Sequence, residues 1–282
     1  MKSYLIALMV AVAATVLGTS ELHAAPKRLK GSGKIITKEL AAPTHYRSVR
    51  ASRGVEVRLV PENGQTMKIE ADDNVMEYVV AEVKGGVLIL TIDDDVRTIS
   101  SVYVKITAPT NGKLTGLHAS SAAKIESEMT LTADEIEVDA SSAAKIQAKI
   151  NAQTSDFELS SAANIKAEVI GGSCSIEATS SANFKGTLAV RHCEIEASSA
   201  ADVTLEGAAL SCDAELSSAA DLHASKFAVK RYSIEASSAA DADILCLEQL
   251  NASASSGADI TYIGNCEQRS IKRSSGGSVS KR

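Results

Sequence analysis

The sequence predicts an all-β protein, most of it a parallel β-helix. Three observations carry that prediction. The first is a four-residue motif, Ser-Ser-Ala-Ala, at Ser120–Ala123, Ser141–Ala144, Ser160–Ala163, Ser198–Ala201, Ser217–Ala220 and Ser237–Ala240. Degenerate copies stand at Thr179–Ala182, Ser255–Ala258 and Ser274–Gly277, and successive copies are 21, 19, 19, 19, 19, 20, 18 and 19 residues apart. A period of about 20 residues belongs to solenoids. The second is the apolar pattern around the motif. Three positions before it stand Leu117, Val138, Phe157, Ile176 and Ile195, and five positions after it stand Ile125, Ile146, Ile165, Phe184 and Val203. Polar positions alternate with these, as on a strand with one face buried. The third is composition. Aromatics make up only 3% of the 282 residues and Trp is absent, while Ala, Ser, Ile and Val dominate. Small and β-branched side chains suit stacked strands.

The chain opens with secretory-signal features over residues 1–25. Lys2 supplies a positive start, Leu5 to Leu17 is apolar, and Ala24 and Ala25 offer cleavage contexts. The apolar run is short for a membrane span. No later stretch is long and apolar enough to cross a membrane, so the mature chain is expected to carry no transmembrane segment. Residues 26–54 read as a basic, glycine-containing leader exposed to solvent.

Residues 55–116 read as a strand-rich N-terminal region without the motif. Val55–Leu59, Met67–Ala71, Val87–Ile92 and Val102–Ile106 alternate or run apolar. Asn63-Gly64, Gly85-Gly86, Asp93–Asp95 and Asn111-Gly112 mark the turns between them. Val75 to Val83 is the one place where a short helix competes. The region is expected to cap the solenoid, because the end of a stack must differ from its middle.

Residues 117–282 read as the repeat β-helix. A strand of four to six residues cannot bury its inner face alone. Stacking coils about 4.8 Å apart gives every backbone group a partner and runs nine coils to about 40 Å. The motif lies between strands and reads as a bend that needs small side chains, with serine hydroxyls available to bond along the stack. The spacing drifts and shows no hexads, which favours a right-handed helix over the left-handed, 18-residue kind.

Two polar columns flank the bend. Asp139, Glu158, Glu177, Glu196, Glu215 and Glu235 stand two positions before the motif. Asp202, Asp221, Asp241 and Asp259 stand four positions after it, following Lys124, Lys145, Asn164 and Asn183. Together they predict an acidic stripe on the later coils. Glu177, Glu196, Glu215, Asp202, Asp221 and Asp241 are the candidate binding surface. Stacked carboxylates repel, and screening, raised pKa values or a bound cation would relieve them. Asp202, Asp221, Asp241, Asp259, Glu196, Glu215 and Glu235 are therefore candidate calcium ligands. Against calcium stands the absence of the glycine-aspartate nonapeptide of β-rolls, and no cofactor is otherwise implied.

Cys174, Cys193 and Cys212 are spaced by 19 and should stack as a buried ladder behaving as small hydrophobes. Export would permit disulfides, and with Cys246 and Cys266 the odd count leaves at least one thiol free. Neither a zinc-ligand spacing, a His partner at catalytic spacing nor a nucleophile elbow is present, so no catalytic residues are assigned. A net charge of −6 argues against nucleic acid as a partner.

Gly31-Ser32-Gly33-Lys34, Val55–Leu59 and Ile69-Glu70-Ala71-Asp72-Asp73-Asn74, followed by the small-residue turns, resemble the putative auto-transporter adhesin, head GIN domain family of exported proteins in Bacteroidetes-like bacteria. The resemblance spans roughly residues 45–265. It implies a β-helical fold, an envelope or surface location and adhesion, and supplies no catalytic residues. The sequence closes at Ser274–Arg282 without a translocator barrel, so a complete auto-transporter is not expected. The reading is of an exported, non-enzymatic β-helix, periplasmic, outer-membrane-associated or extracellular, that binds or scaffolds an envelope or extracellular protein or glycan. The alternatives are a lyase or hydrolase of acidic polysaccharides, which rests on fold analogy alone, and an envelope polymer stacking end to end.

Overall fold

The computed structural model describes residues 27–62 and 66–282. The signal-peptide prediction and the Asn63-Gly64 turn lie outside the described residues. The strands of the N-terminal part are β1 (Lys27–Lys30), β2 (Ile35–Leu40), β3 (Ser48–Ala51), β4 (Glu56–Pro61) and β5 (Met67–Asp72). They continue with β6 (Val79–Lys84), β7 (Val87–Ile92), β8 (Val96–Ser100) and β9 (Val104–Thr110). The solenoid strands are β10 (Gly116–Ala119), β11 (Lys124–Ala140), β12 (Lys145–Leu159), β13 (Asn164–Ala178), β14 (Asn183–Ala197), β15 (Asp202–Leu216) and β16 (Asp221–Ala236). They end with β17 (Asp241–Ala254), β18 (Asp259–Ile263), β19 (Glu267–Arg273) and β20 (Ser278–Lys281). The chain is a β-solenoid of about nine turns with additional N-terminal strands.

From β11 to β17 each strand pairs in parallel with the next, one coil onward. The inward columns are the predicted ones. Leu117, Val138, Phe157, Ile176 and Ile195 are buried, as are Ile125, Ile146, Ile165, Phe184 and Val203. The fourth residue of each motif, from Ala123 through Ala258, is buried too. Phe157 and Phe184 meet edge to face inside the solenoid, with centroids 5.1 Å apart.

The motif is a tight turn of unusual backbone. Its second and third residues both have positive φ, as in Ser142 (52°) and Ala143 (61°). The fourth residue donates to the first, as Ala144 N–H does to Ser141 O at 3.1 Å. Two consecutive positive φ values with this bond are the signature of a type I′ turn. Bonds along the stack are carried by backbone. Ala122 N–H donates to Ser142 O at 2.9 Å, and Ala143 N–H to Ser161 O at 2.9 Å, through to Gly257 and Ser275. These backbone bonds make the turn ladder continuous from coil to coil. The left-handed backbone disfavours L residues, and small side chains keep the stacked turns free of clashes.

The drift in spacing is absorbed away from the turns. The 21-residue interval carries an irregularity between Glu126 and Thr130 of β11. The 20-residue interval carries one where Thr204–Glu206 faces β16. The return to 18 coincides with two register shifts between β16 and β17. Within β15, Gly207 has φ of 107°, and a Cβ there would lie 2.1 Å from Leu188 O.

Residues 27–54 depart from the leader reading. β1 pairs in parallel with β8, and β2 pairs antiparallel with β5. β3 stacks on β10 and β7, and β4 on β11 and β9. Ser52–Val55 between β3 and β4 is a further turn of the ladder, with positive φ at Arg53 and Gly54 and a bond from Gly54 N–H to Ser121 O at 2.9 Å. The stack therefore begins near Ser48, before the expected boundary, and the following strands cap it. The helix-competing stretch holds one 3-10 turn at Met76–Tyr78.

Cys174, Cys193 and Cys212 stack in register and are buried as free thiols. Ser155 and Tyr232 extend the same inward column at its two ends. The hydrogen bond to Cys174, together with burial, pushes the Cys193 thiol well up, and burial does the same to Cys212 and Tyr232. Burial, with a hydrogen bond to Cys266, pushes Cys246 up to about 12. These groups are neutral at physiological pH and act as core.

Candidate functional site: an acidic trough along the turns

Period-two alternation puts the residue two before each motif outward, and parallel register stacks it over its counterparts. Asp139, Glu158, Glu177, Glu196, Glu215 and Glu235 thus form one unbroken file of carboxylates. The first residues of the motifs stand beside them. Glu177, Glu196, Glu215 and Glu235 form one wall of a trough of about 370 Å³, and Thr179, Ser198, Ser217, Ser237 and Ser255 the other. A second depression of about 190 Å³, lined by Asp139, Glu158, Ser141 and Ser160, shares Glu177 and Thr179 with it. Two positions further upstream, Glu137, Asp156, Glu194 and Asp213 add charge of the same sign to that face. Burial raises the Glu158 pKa, and Asp139, Glu177, Glu137 and Asp156 push it further in the same direction. Burial, then Glu135, raises Asp156.

The two predicted columns do not form one stripe. Glu177, Glu196, Glu215 and Glu235 line the trough. Asp202, Asp221, Asp241 and Asp259 stack in their own ladder beyond the turns and do not line it. Asp202 lies 3.6 Å from His223, and Thr204 Oγ1 donates to it at 3.2 Å. Burial, then Asp221, Asp259 and Asp243, raise the Asp241 pKa, and His223 opposes them.

Among the described residues, the metal-type donors that converge are His118, Glu137 and Asp139, whose ligand atoms lie within 4.8 Å of one another. No three of the predicted calcium ligands meet that closely. His118 Nδ1 is 2.6 Å from Asp139 Oδ2. Asp139 Oδ1 and Ser48 Oγ are buried without a hydrogen-bond partner. A Cβ on Gly116 would lie 2.7 Å from Ser48 Oγ and 2.8 Å from His118 Nε2, so a side chain there would push the imidazole or the hydroxyl aside. One imidazole and two carboxylates are a donor set for a divalent cation. Along the chain, His118 has no partner at catalytic spacing. The available signal was that His118 and Asp139 both precede a motif by two positions.

A solenoid whose turns are flanked by an unbroken file of carboxylates defines a repeat scaffold with a candidate binding face. The family model for the putative auto-transporter adhesin, head GIN domain matches residues 45–173 and 166–266, and the chain belongs to that family. A putative adhesin from Parabacteroides merdae superposes with a TM-score of 0.70 at 19% identity, covering 91% of this chain and 99% of that one. A putative lipid binding protein from Parabacteroides distasonis gives 0.69 at 15% identity, covering 91% and 100%. A putative adhesin from the same species gives 0.68 at 20% identity, again covering 91% and 100%. These likenesses are of fold, and none of the descriptions is of an enzyme. No curated protein is significantly similar to the chain. No helix of the described residues is long and apolar enough to cross a membrane.

Proposed function

We propose that the protein is an exported, non-enzymatic binding protein of the bacterial envelope. Its trough holds a cationic, extended segment of an envelope or extracellular protein. The observation that carries this reading is the continuous file from Asp139 to Glu235 beside the hydroxyl wall. Carboxylates at about 4.8 Å repeats repel one another, and a row of Lys or Arg side chains would relieve all of them together. Hydroxyl groups along the other wall would bond an extended main chain. Family membership supports a binding or adhesion role. An anionic lipid headgroup or a uronate meets the wrong sign of charge here.

The test compares the wild-type chain with a Glu177→Gln, Glu196→Gln, Glu215→Gln, Glu235→Gln variant, and with an Asp202→Asn, Asp221→Asn, Asp241→Asn variant. The probes are a fluorescent oligolysine, a neutral glycan panel and immobilised envelope extract. The expected result is salt-sensitive capture of oligolysine and extract proteins, lost in the glutamine variant alone. Capture that survives in the glutamine variant, or binding confined to neutral glycans, would overturn the reading.

A further inference from the structure

The face on the other side of the turns changes sign along the solenoid. The outward column that begins each coil reads Lys124, Lys145, Asn164, Asn183, then Asp202, Asp221, Asp241, Asp259 in unbroken register. The next outward column adds Lys166 and Lys185 to the basic half, along with Glu126, which pairs with Lys124 at 2.7 Å, and adds to the acidic half Asp243, which pairs with Arg282 at 3.1 Å. Among the described residues, Lys145, Lys166 and Lys185 have no ion-pair partner, nor have Asp221, Asp241 and Asp259. One half of the face carries unanswered positive charge, and the other half unanswered negative charge.

We propose that this face pairs with the same face of a second copy, the two solenoid axes antiparallel about a two-fold between the Asn183 and Asp202 coils. A two-fold lying in the interface and across the axes keeps each column opposite itself and reverses coil order. Lys145 then faces Asp241 of the other copy, and Lys124 faces Asp259. Lys166 and Lys185 reach Asp221 and Asp202 from the adjacent column. Each contact occurs twice, as an isologous interface requires.

A further column on the same face, two positions beyond the one that holds Lys149, Glu168, Thr187, Glu206 and Lys226, has the same symmetry. Ile170, Ala189, Ala208 and Ala228 are in register, and Ile170 is 62% exposed. Across the same two-fold, Ile170 meets Ala228, and Ala189 meets Ala208, closing an apolar strip beside the charged columns. Eight coils at about 4.8 Å, with about eight residues each at 3.3 Å, make a face of roughly 35 by 25 Å. That area matches the roughly 800 Å² per partner of a standard interface. A parallel arrangement would set Lys on Lys and Asp on Asp, so charge selects the antiparallel one. The pairing leaves both acidic troughs open, which would make the dimer bivalent.

Sedimentation velocity on the chain, in about 50 mM and about 500 mM salt, tests the proposal through its screening. Three reversal variants accompany it: Lys145→Glu with Lys166→Glu, Asp221→Lys with Asp241→Lys, and all four together. Circular dichroism checks that each is folded. Wild type is expected to dimerise, more weakly at high salt, and each double reversal to weaken dimerisation by about tenfold or more. The quadruple variant, and an equimolar mixture of the two double variants, should dimerise again. Neutral replacements Lys145→Gln and Asp241→Asn serve if a reversal variant does not fold, and should weaken association without abolishing the fold. A monomer in both salts, or a dimer indifferent to reversal or neutralisation, would overturn the proposal. So would a quadruple variant that folds and fails to dimerise.

Discussion

Asp72 Oδ1 accepts the backbone N–H of Gly33 at 2.7 Å, and its Oδ2 accepts that of Tyr103 at 2.8 Å. The carboxylate is 1% exposed. Around it, Ser32 Oγ donates to Asp73 at 2.7 Å, Lys34 pairs with Asp73 at 3.2 Å, and Asn74 Nδ2 donates to Lys30 O at 2.9 Å. Two sequence stretches some forty residues apart thus form one clasp that fastens β1 and β2 to the cap.

Removing the carboxylate takes away the charged acceptor of the Gly33 and Tyr103 N–H groups. Hydrogen bonds to charged groups contribute about 1.5–3 kcal/mol, so Asp72→Ala should cost about 3 kcal/mol in urea unfolding followed by circular dichroism. Gly31→Ala should cost a similar amount, because its Cβ would lie 2.2 Å from Ser101 O. A cost below about 0.5 kcal/mol, the level of an ordinary surface change, would show that the clasp is idle.

The turn ladder makes a second prediction. Ala200 has φ of 60° and is exposed, so a change there acts on the backbone alone. Ala200→Gly removes the left-handed penalty of about 1 kcal/mol and adds a comparable unfolded-state entropy, so stability should hold or rise slightly. Ala200→Val places a β-branched residue in that region and should cost about 2 kcal/mol. Equal thermal midpoints for the two variants would contradict the turn geometry.

A third prediction concerns pH. Burial and four neighbouring carboxylates raise the Glu158 pKa above its ordinary 4.5. A carboxyl raised in the folded state favours the protonated fold. Its stabilising contribution is complete below the unfolded value and is lost as pH rises through the folded one. At pH 7 Glu158 therefore opposes folding, and Glu158→Gln should raise the thermal midpoint. The site is largely solvated, so screening keeps the gain near 0.5 kcal/mol or less, about 1–2 °C. The gain should vanish below about pH 4. A gain that grows on acidification would reverse the sign.

Much of the architecture is written locally. The inward columns follow from period two, and the turns from the motif repeat. The degenerate copy at Ser274–Gly277 is a turn like the others, with Ser275 at φ 47°. The carboxylate ladders were visible because parallel stacking converts equal distance from a motif into spatial neighbourhood. That rule also joins His118 to Asp139, a pair hidden by reading histidines one at a time. It does not reach Ser52–Val55, because the capping strands between β4 and β10 separate that turn from Ser120 and break the period.

The sequence alone therefore determined the solenoid, its period, its inward residues and the presence of two acidic columns. All of these depend on spacing along the chain. The tertiary structure decided that the two columns part, one into a trough and one into the acidic half of a face whose other half is basic. It also decided that residues near Asp72 close on the glycines near Gly33. The reason is physical. The direction in which the chain leaves two consecutive left-handed residues sets which outward columns share a face, and contacts across coils and cap join residues that no periodicity links.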